Sequence, residues 1–192
     1  MEEIALREMA EKLREGQIVL ASLPTGYALI CDARNNEPVK RLRKLKSRPK
    51  EKGFTVMVES DARLNKYVKE VPAIAWDILD SAENPLILVL PEGRGICREA
   101  LASDGSIAVR MVPEGYERKF VQSANCPVAC TALLNDKGEL ASSPADATRE
   151  VLSEVEYLIS LPASDPESIP TQIPIVSLGM GGEVKVIREA QA

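Results

Sequence analysis

The chain has 192 residues, of which 45% are apolar and only 4% aromatic, with a net charge of −5 and no histidine. This length is sufficient for one domain with an aliphatic core, and the scarcity of aromatic residues argues against a protein that stacks single-stranded bases. The absence of histidine excludes every Ser-His or Cys-His catalytic pair.

The cysteines do not form a metal-binding pattern. Cys126 and Cys130 have the spacing C-x3-C, but Cys31 and Cys97 do not form a second pair, and no imidazole is available to complete a site. We therefore expect reduced thiols and no structural metal. The acidic first residues do not resemble a signal peptide, and no apolar run approaches 18 residues. These features predict a cytoplasmic protein that makes no membrane contact.

Alternating apolar segments of helical and extended period run along the whole chain. The pattern predicts, in order, a helix over 2–14, strands over 17–22 and 28–31, a helix over 37–46, a strand over 54–58, helices over 61–67 and 73–81, strands over 85–90 and 106–111, a helix over 114–122, a strand over 127–134, a helix over 144–151, and strands over 157–159, 175–178 and 184–187. Ser143 is a predicted N-cap, and 162–170 is a predicted loop. The succession predicts one α/β domain over 1–192, with a twisted mixed sheet and flanking helices.

A dense basic run, residues 40–52, is the clearest functional signal. It holds eight basic residues and one acidic residue in a chain that is acidic overall. Pro49 disfavours helical geometry at Arg48, so the second half of the run should leave the helix and enter a loop. Cations at such an exit can converge on one anion, whereas a helix face can equally be no more than solvated.

Several polar residues fall beside the predicted strand ends. Thr25 and Tyr27 lie in the turn between the first two strands, and Arg110 and Arg188 end later strands. Arginine matches phosphate and carboxylate groups bidentately. If Arg110 and Arg188 lie together with Lys46, Arg48 and Lys52, the result would be an anion site.

The order of short motifs resembles a known family. The motifs are Pro24-Thr25 with Tyr27-x-Leu29, Lys46-Ser47-Arg48-Pro49, Pro85-Leu86, Ala108-Val109-Arg110-x2-Pro113, Pro127-x3-Thr131 and Val186-Ile187-Arg188-Glu189. Together they resemble the YrdC-like family, which includes threonylcarbamoyl-AMP synthases. Gly26-Tyr27-Ala28-Leu29 is most similar to the YciO branch.

The resemblance implies a fold and a chemistry. Members of the family have a twisted α/β sheet around a concave basic cavity. The synthases among them use threonine, bicarbonate and ATP with Mg²⁺ to make threonylcarbamoyl-AMP for tRNA modification. It implies catalytic roles for Lys46 and Arg48, and nucleotide binding by the same two residues with Arg110 and Arg188. It implies substrate-binding roles for Thr25, Tyr27, Lys52 and Thr131.

Departures from the family pattern leave two functions open. The polar residues of four motifs are replaced, mostly by apolar ones, for example at Ala132 and Leu134. A divergent synthase with weak or altered activity is one interpretation. The alternative is a non-catalytic protein that binds tRNA, double-stranded RNA or a nucleotide. Its RNA contacts would come from the helical half of the basic run, at Lys40, Arg41, Arg43 and Lys44. A different substrate, or chance resemblance in an ordinary α/β domain, is a third possibility.

Overall fold

The computed structural model describes residues 2–160 and 172–189, and within them the side chains of residues 6–155 and 172–189. The helices are α1 (Glu2–Arg14), α2 (Asn36–Leu45), α3 (Asp61–Tyr67), α4 (Ala73–Ser81), α5 (Tyr116–Ala124) and α6 (Arg149–Glu154). The strands are β1 (Ile18–Leu23), β2 (Gly26–Asp32), β3 (Thr55–Val58), β4 (Ile87–Leu90), β5 (Ile107–Met111), β6 (Val128–Ala132), β7 (Val155–Ser160), β8 (Ile175–Leu178) and β9 (Val184–Arg188).

The nine strands hydrogen-bond into one sheet in the order β7-β1-β2-β6-β3-β5-β4-β8-β9. Three neighbouring pairs are parallel, namely β1 with β7, β3 with β5, and β4 with β8. The other pairs are antiparallel, as in the short hairpin of β1 and β2. The predicted α/β class with a mixed sheet is therefore confirmed.

Each face of the sheet packs against its own set of helices. On one face, α2, α3, α4 and α6 contribute to a core that contains Leu20, Leu29 and Phe54. On the other face, α1 and α5 cover Val19, Ile30 and further apolar residues. This division follows from the alternation of side chains along each strand, because Val19 and Leu20 point to opposite faces.

The segment after β6 differs from its prediction. Ser143 is an N-cap as predicted, but it caps a 3₁₀ turn over Pro144–Asp146, where it forms a capping box with Asp146. Thr148 then caps α6, which begins at Arg149. The two capping residues, Ser143 and Thr148, therefore divide the predicted helix into a 3₁₀ turn and α6. The predicted loop over 162–170 lies outside the described residues.

The end of α2 is shaped by an unusual residue. Ser47 has a φ of +44°, in the left-handed region, and its N–H donates to the carbonyl of Lys44. The N–H of Arg48 donates to the carbonyl of Arg43 at 3.0 Å, which completes a Schellman motif. Glycine is the usual residue at this position because a Cβ is unfavourable there. The basic run thus carries backbone strain where it leaves the helix.

Replacing Ser47 tests this strain. Ser47→Gly should be more stable than Ser47→Ala by about 1 kcal/mol, because glycine adopts positive φ without a steric penalty. Urea unfolding of the two variants measures the difference. If the alanine variant equals or exceeds the glycine variant in stability, the left-handed conformation at this position is contradicted.

Candidate functional site

One row of side chains crosses the sheet on the face that α1 and α5 cover only in part. The strand registers place seven residues in line, in the order Ile30, Cys130, Thr55, Ala108, Val89, Ser177 and Lys185. Ile30 is fully buried, whereas Cys130, Thr55, Ala108, Val89 and Ser177 are half-buried and Lys185 is exposed. The middle of this face is therefore only partly covered, and we call it the open face.

Arg48 lies close enough to Cys130 of this row for its charge to lower the pKa of that thiol. Its Nε and Nη2 donate to the carbonyl of Gly53 at 3.0 and 2.6 Å, and its guanidinium lies 5.0 Å from the ring centre of Phe54. Burial lowers the pKa of Arg48, and the neighbouring charges of Arg43 and Arg188 lower it further. These contacts leave Nη1 without a protein partner among the described residues.

Lys46 lies near Arg48 and is half-buried. Burial lowers the pKa of its amine, and the positive charge of Arg48 adds to the effect. Within the described part of the chain, no carboxylate forms an ion pair with Lys46. This lysine therefore carries a charge that its surroundings disfavour.

Arg188 approaches the same place from the far edge of the sheet. A register shift between Ile175 and Val176 pairs Arg188 with Ile175, which lies on the same face as Ser177. The Nε and Nη2 of Arg188 donate to the carbonyl of Ile173 at 3.0 and 2.6 Å, and burial lowers the pKa of Arg188. Like Arg48, it is oriented by a main-chain carbonyl and keeps Nη1 free of described partners.

We call Lys46, Arg48 and Arg188 the basic cluster. No carboxylate in residues 6–155 and 172–189 pairs with any of the three. Lys46 and Arg48 are half-buried and Arg188 is exposed, so an anion among them would compensate for the repulsion of like charges and, at Lys46 and Arg48, for the loss of hydration. The prearranged guanidinium groups suit phosphate or carboxylate oxygens.

Arg43 has a different environment from its neighbours in the sequence. It is buried, and its Nη1 donates to the carbonyls of Arg48, Pro49 and Lys52 at 3.2, 2.7 and 3.2 Å. Its Nη2 donates to the carbonyl of Glu99 at 2.6 Å. Arg43 thus holds the turn that presents Arg48, so its predicted contact with RNA is replaced by a structural role.

Arg110 is also buried, with 1% of its surface exposed. Its Nη1 donates to Oε2 of Glu117 at 3.1 Å, and its Nη2 donates to Oε1 of the same carboxylate. Although burial opposes the charge, the Glu117 carboxylate keeps the pKa of Arg110 high. The structure therefore does not bring Arg110 to the basic cluster as a free cation.

The predicted substrate residues are divided between places. Thr25 lines a cavity of about 420 Å³ together with Glu117. Tyr27 packs against the core on the other face of the sheet, and Thr131 is buried opposite Leu29 on that same face. Neither Tyr27 nor Thr131 forms a side-chain hydrogen bond with Lys46, Arg48 or Arg188 among the described residues, so their substrate-binding roles stay predictions.

The helical half of the basic run faces solvent only in part. Lys40 and Lys44 are exposed and form no ion pair with described residues. Arg41 donates to the carbonyl of Gly16 at 2.8 Å and lies 3.6 Å from the Glu154 carboxylate. Lys52 is exposed, and its carbonyl accepts a bond from Arg43. Lys40 and Lys44 remain the free cations of this helix face.

Sequence reasoning missed four residues that shape the site. Phe54 supports the guanidinium groups of Arg43 and Arg48 through its ring, and Glu117 neutralises Arg110. Thr55 and Cys130 form the sheet surface. Burial raises the pKa of Cys130 to about 11, although Arg110 lowers it, so a thiolate nucleophile is excluded near neutral pH. The sequence predicted Phe54 only as part of a strand over 54–58, which gave no signal of its contacts with two arginines.

Two kinds of feature are absent from residues 2–160 and 172–189. No group of three or more Cys, Asp and Glu side chains there is placed to hold a metal ion. No helix there is long and apolar enough to cross a membrane. The cysteines Cys31, Cys97, Cys126 and Cys130 are free thiols.

Comparison with known proteins places the chain in a family. A family model for the Sua5, YciO and YrdC proteins, described as telomere recombination, matches residues 11–190. The fold and the site thus define the class of this protein as an α/β protein with a basic cluster beside the sheet. The chain belongs to the Sua5/YciO/YrdC family, as its motifs predicted.

Individual relatives agree with this assignment. Threonylcarbamoyl-AMP synthase of Halorhodospira halophila is 30% identical over 155 residues, which cover 80% of this chain and 81% of the relative. Sua5 of Pyrococcus abyssi superposes with a TM-score of 0.83 at 24% identity, over 100% of this chain and 58% of that chain. Escherichia coli YciO superposes with a TM-score of 0.78 at 18% identity, over 99% and 90%. The two solved structures establish the shared fold.

The structural role of Arg43 can be tested by substitution. Arg43→Met should lower the free energy of unfolding by about 2–4 kcal/mol, because it removes the hydrogen bonds of this side chain to several main-chain carbonyls and its ion pair with Glu99. Lys40→Met, at an exposed position of the same helix, should change it by less than about 0.5 kcal/mol. Denaturant unfolding gives both values, and equal losses would contradict the role assigned to Arg43.

Proposed function

We propose that the basic cluster binds the phosphates of ATP and that the chain forms a carbamoyl adenylate, as threonylcarbamoyl-AMP synthases do. The observation that carries this proposal is that Arg48 is within electrostatic reach of both Lys46 and Arg188, while none of the three pairs with a carboxylate among the described residues. Family membership supports it, because the curated relative is named for that activity. The predicted concave basic cavity would be the open face around this cluster.

The chemistry requires cations more than it requires a base. An amine and bicarbonate give a carbamate and water, and a carbamate oxygen then attacks the α-phosphorus of ATP while pyrophosphate leaves. Negative charge develops on the phosphoryl oxygens, and prearranged guanidinium and ammonium groups stabilise it. Lys46 and Arg48 would therefore be the catalytic residues, with Arg188 on the nucleotide phosphates and Lys52 at the edge of the same turn.

Magnesium would enter with the nucleotide. Among the described residues, no group of three or more Cys, Asp and Glu side chains is placed to hold a metal ion. A magnesium ion bound by the phosphates of ATP needs few protein ligands. The product would serve modification of tRNA in the cytoplasm, so tRNA is the macromolecular partner that this function implies.

Substitution of Lys46 tests the proposal. Lys46→Met should abolish stabilisation by MgATP and lower pyrophosphate release with threonine and bicarbonate at least tenfold, because the central cation is lost. The melting temperature without ligand should not fall, since the charge of Lys46 is disfavoured where it lies.

Lys44→Met is the matched control, because Lys44 lies two residues away on the exposed face of the helix end. It should keep the stabilisation by MgATP. A Lys46→Met protein that still binds MgATP like the unaltered chain would refute a phosphate site at the basic cluster.

A second candidate function is RNA binding on the exposed face of α2. The free cations Lys40 and Lys44 favour it, and Lys50 and Lys52 in the following turn extend the same positive charge. Such a surface would contact the phosphate backbone of tRNA or double-stranded RNA without reading sequence.

RNA binding on this face has a clear signature. The affinity for a tRNA or an RNA duplex should fall steeply as salt rises, and the Lys40→Ala/Lys44→Ala double variant should show a slope of log Kd against log [salt] that is smaller by about 1–2. Filter binding at several salt concentrations measures both slopes. An interaction that is independent of salt, or unaffected by the double variant, would eliminate this function.

A further inference from the structure

A second, smaller cavity lies between the turn that follows α2 and the segment 98–103 that precedes β5. Its volume is about 160 Å³, and no member of the basic cluster lines it. Pockets for larger organic ligands measure roughly 300–1,000 Å³, so this small cavity admits a small ion and excludes a whole nucleotide. Leu101 forms a buried apolar part of its lining, and the polar and charged residues there are Arg43, Lys50, Arg98, Glu99 and Ser103.

The two walls of the small cavity are tied together by one side chain. The Nη1 of Arg43 donates to the carbonyl of Pro49 at 2.7 Å, and its Nη2 donates to the carbonyl of Glu99 at 2.6 Å. Lys50 follows Pro49 in the chain, and Arg98 precedes Glu99. The main-chain positions that carry Lys50 and Arg98 are therefore fixed relative to each other before a ligand binds.

The charges of the lining do not cancel. Glu99 compensates for Arg43, because the Nε of Arg43 lies 3.4 Å from the Glu99 carboxylate. Lys50 and Arg98 form no ion pair with a carboxylate in residues 6–155 and 172–189. The lining thus holds two positive charges without a carboxylate partner in that part of the chain, which favours an anion as the ligand.

Arg98 is oriented in the same way as Arg48 and Arg188. Its Nη1 donates to the carbonyl of Ala102 at 2.8 Å, and its Nη2 donates to the carbonyl of Ser103. These carbonyls orient the guanidinium group without compensating for its charge, and its Nε has no partner among the described residues. The hydroxyl of Ser103 forms no hydrogen bond with described residues either, so it can donate to a ligand.

Asp104 follows this segment but does not neutralise Arg98. Its carboxylate does not line the small cavity and accepts from the N–H of Ser106 at 2.9 Å. Hydrogen bonds from Ser106 lower the pKa of Asp104, and the charge of Arg98 lowers it further without an ion pair between the two side chains. The positive charge of Arg98 is therefore available to a ligand.

We propose that the small cavity binds one phosphate group, either as the free ion or as a small monoester whose organic part lies in solvent. A phosphate monoester carries about −1.5 to −2 charges at pH 7, which matches the two cations of the lining. Its oxygens can accept from the Nε of Arg98, the ammonium group of Lys50 and the hydroxyl of Ser103. A carboxylate brings one charge and leaves one cation without compensation. This site is independent of the reaction proposed for the basic cluster.

A titration that resolves individual residues tests this site. In a ¹⁵N-labelled sample of the full chain near pH 8, inorganic phosphate should shift the amide signals of Lys50 and Ser103 together, with saturation at millimolar concentration. Sodium chloride at the same ionic strength should give only small shifts that do not saturate. Methyl phosphate separates the two sources of the group. Equal affinity means that the site accepts a monoester, and weaker affinity identifies the free ion as the ligand.

Substitutions test the two cations. Arg98→Gln should weaken the affinity for phosphate about tenfold, because it removes one of the two charges. Arg94→Gln is the matched control, since Arg94 is exposed, donates to the carbonyls of Asn65 and Lys66, and does not line the small cavity. It should keep the affinity of the unaltered chain. Lys50→Met should also weaken binding about tenfold, and it removes no hydrogen bond to a described residue, so it provides the test if Arg98→Gln does not fold.

The same titration separates the small cavity from the basic cluster, because the amide signal of Thr55 reports on the open face. Saturable shifts at Lys50 and Ser103 that are lost in the two variants would confirm the site, whether or not Thr55 responds. Saturable shifts at Thr55 alone would reject it and leave the proposed function standing. The site is also rejected if chloride reproduces the shifts of Lys50 and Ser103, or if folded Arg98→Gln and Lys50→Met proteins bind phosphate like the unaltered chain.

Discussion

A buried guanidinium group, that of Arg43, fixes the turn on which the basic cluster depends. It donates to the carbonyls of Arg48, Pro49 and Lys52, and so fastens the turn that follows α2 to the last part of the helix. Arg43 belongs to the most basic segment of the chain, but its side chain forms hydrogen bonds with the main chain. The positive charge available to a ligand comes from Lys46 and Arg48 instead.

Arg48, Arg110 and Arg188 differ in the groups that accept their hydrogen bonds. Glu117 neutralises Arg110, whereas main-chain carbonyls, which carry no net charge, hold Arg48 and Arg188. Hydrogen bonds to carbonyls orient a guanidinium group and leave its charge uncompensated, so Arg48 and Arg188 can attract an anion and Arg110 cannot. This difference distinguishes the basic cluster, whose charges have no carboxylate partner among the described residues, from the buried pair of Arg110 and Glu117.

The sequence was informative where structure is local. The period of apolar residues correctly predicted α1, α3 and α4, and the short apolar strands correctly predicted a mixed sheet. The order of motifs correctly predicted the family. The burial of Arg43 and Arg110 and their hydrogen-bond partners could not be predicted, because those partners come close only when the chain folds. The carbonyl that Arg43 contacts at Glu99 is 56 residues away, and the approach of Glu117 to Arg110 depends on how α5 packs against α1 and β3.

The central claim is that the basic cluster receives the phosphates of a nucleotide. A crystal structure of the chain with a non-hydrolysable ATP analogue and magnesium tests it most directly. The account predicts phosphate oxygens within hydrogen-bond distance of Lys46 Nζ and of the Nη1 atoms of Arg48 and Arg188. Phosphates bound instead along the exposed face of α2, at Lys40 and Lys44, would contradict it.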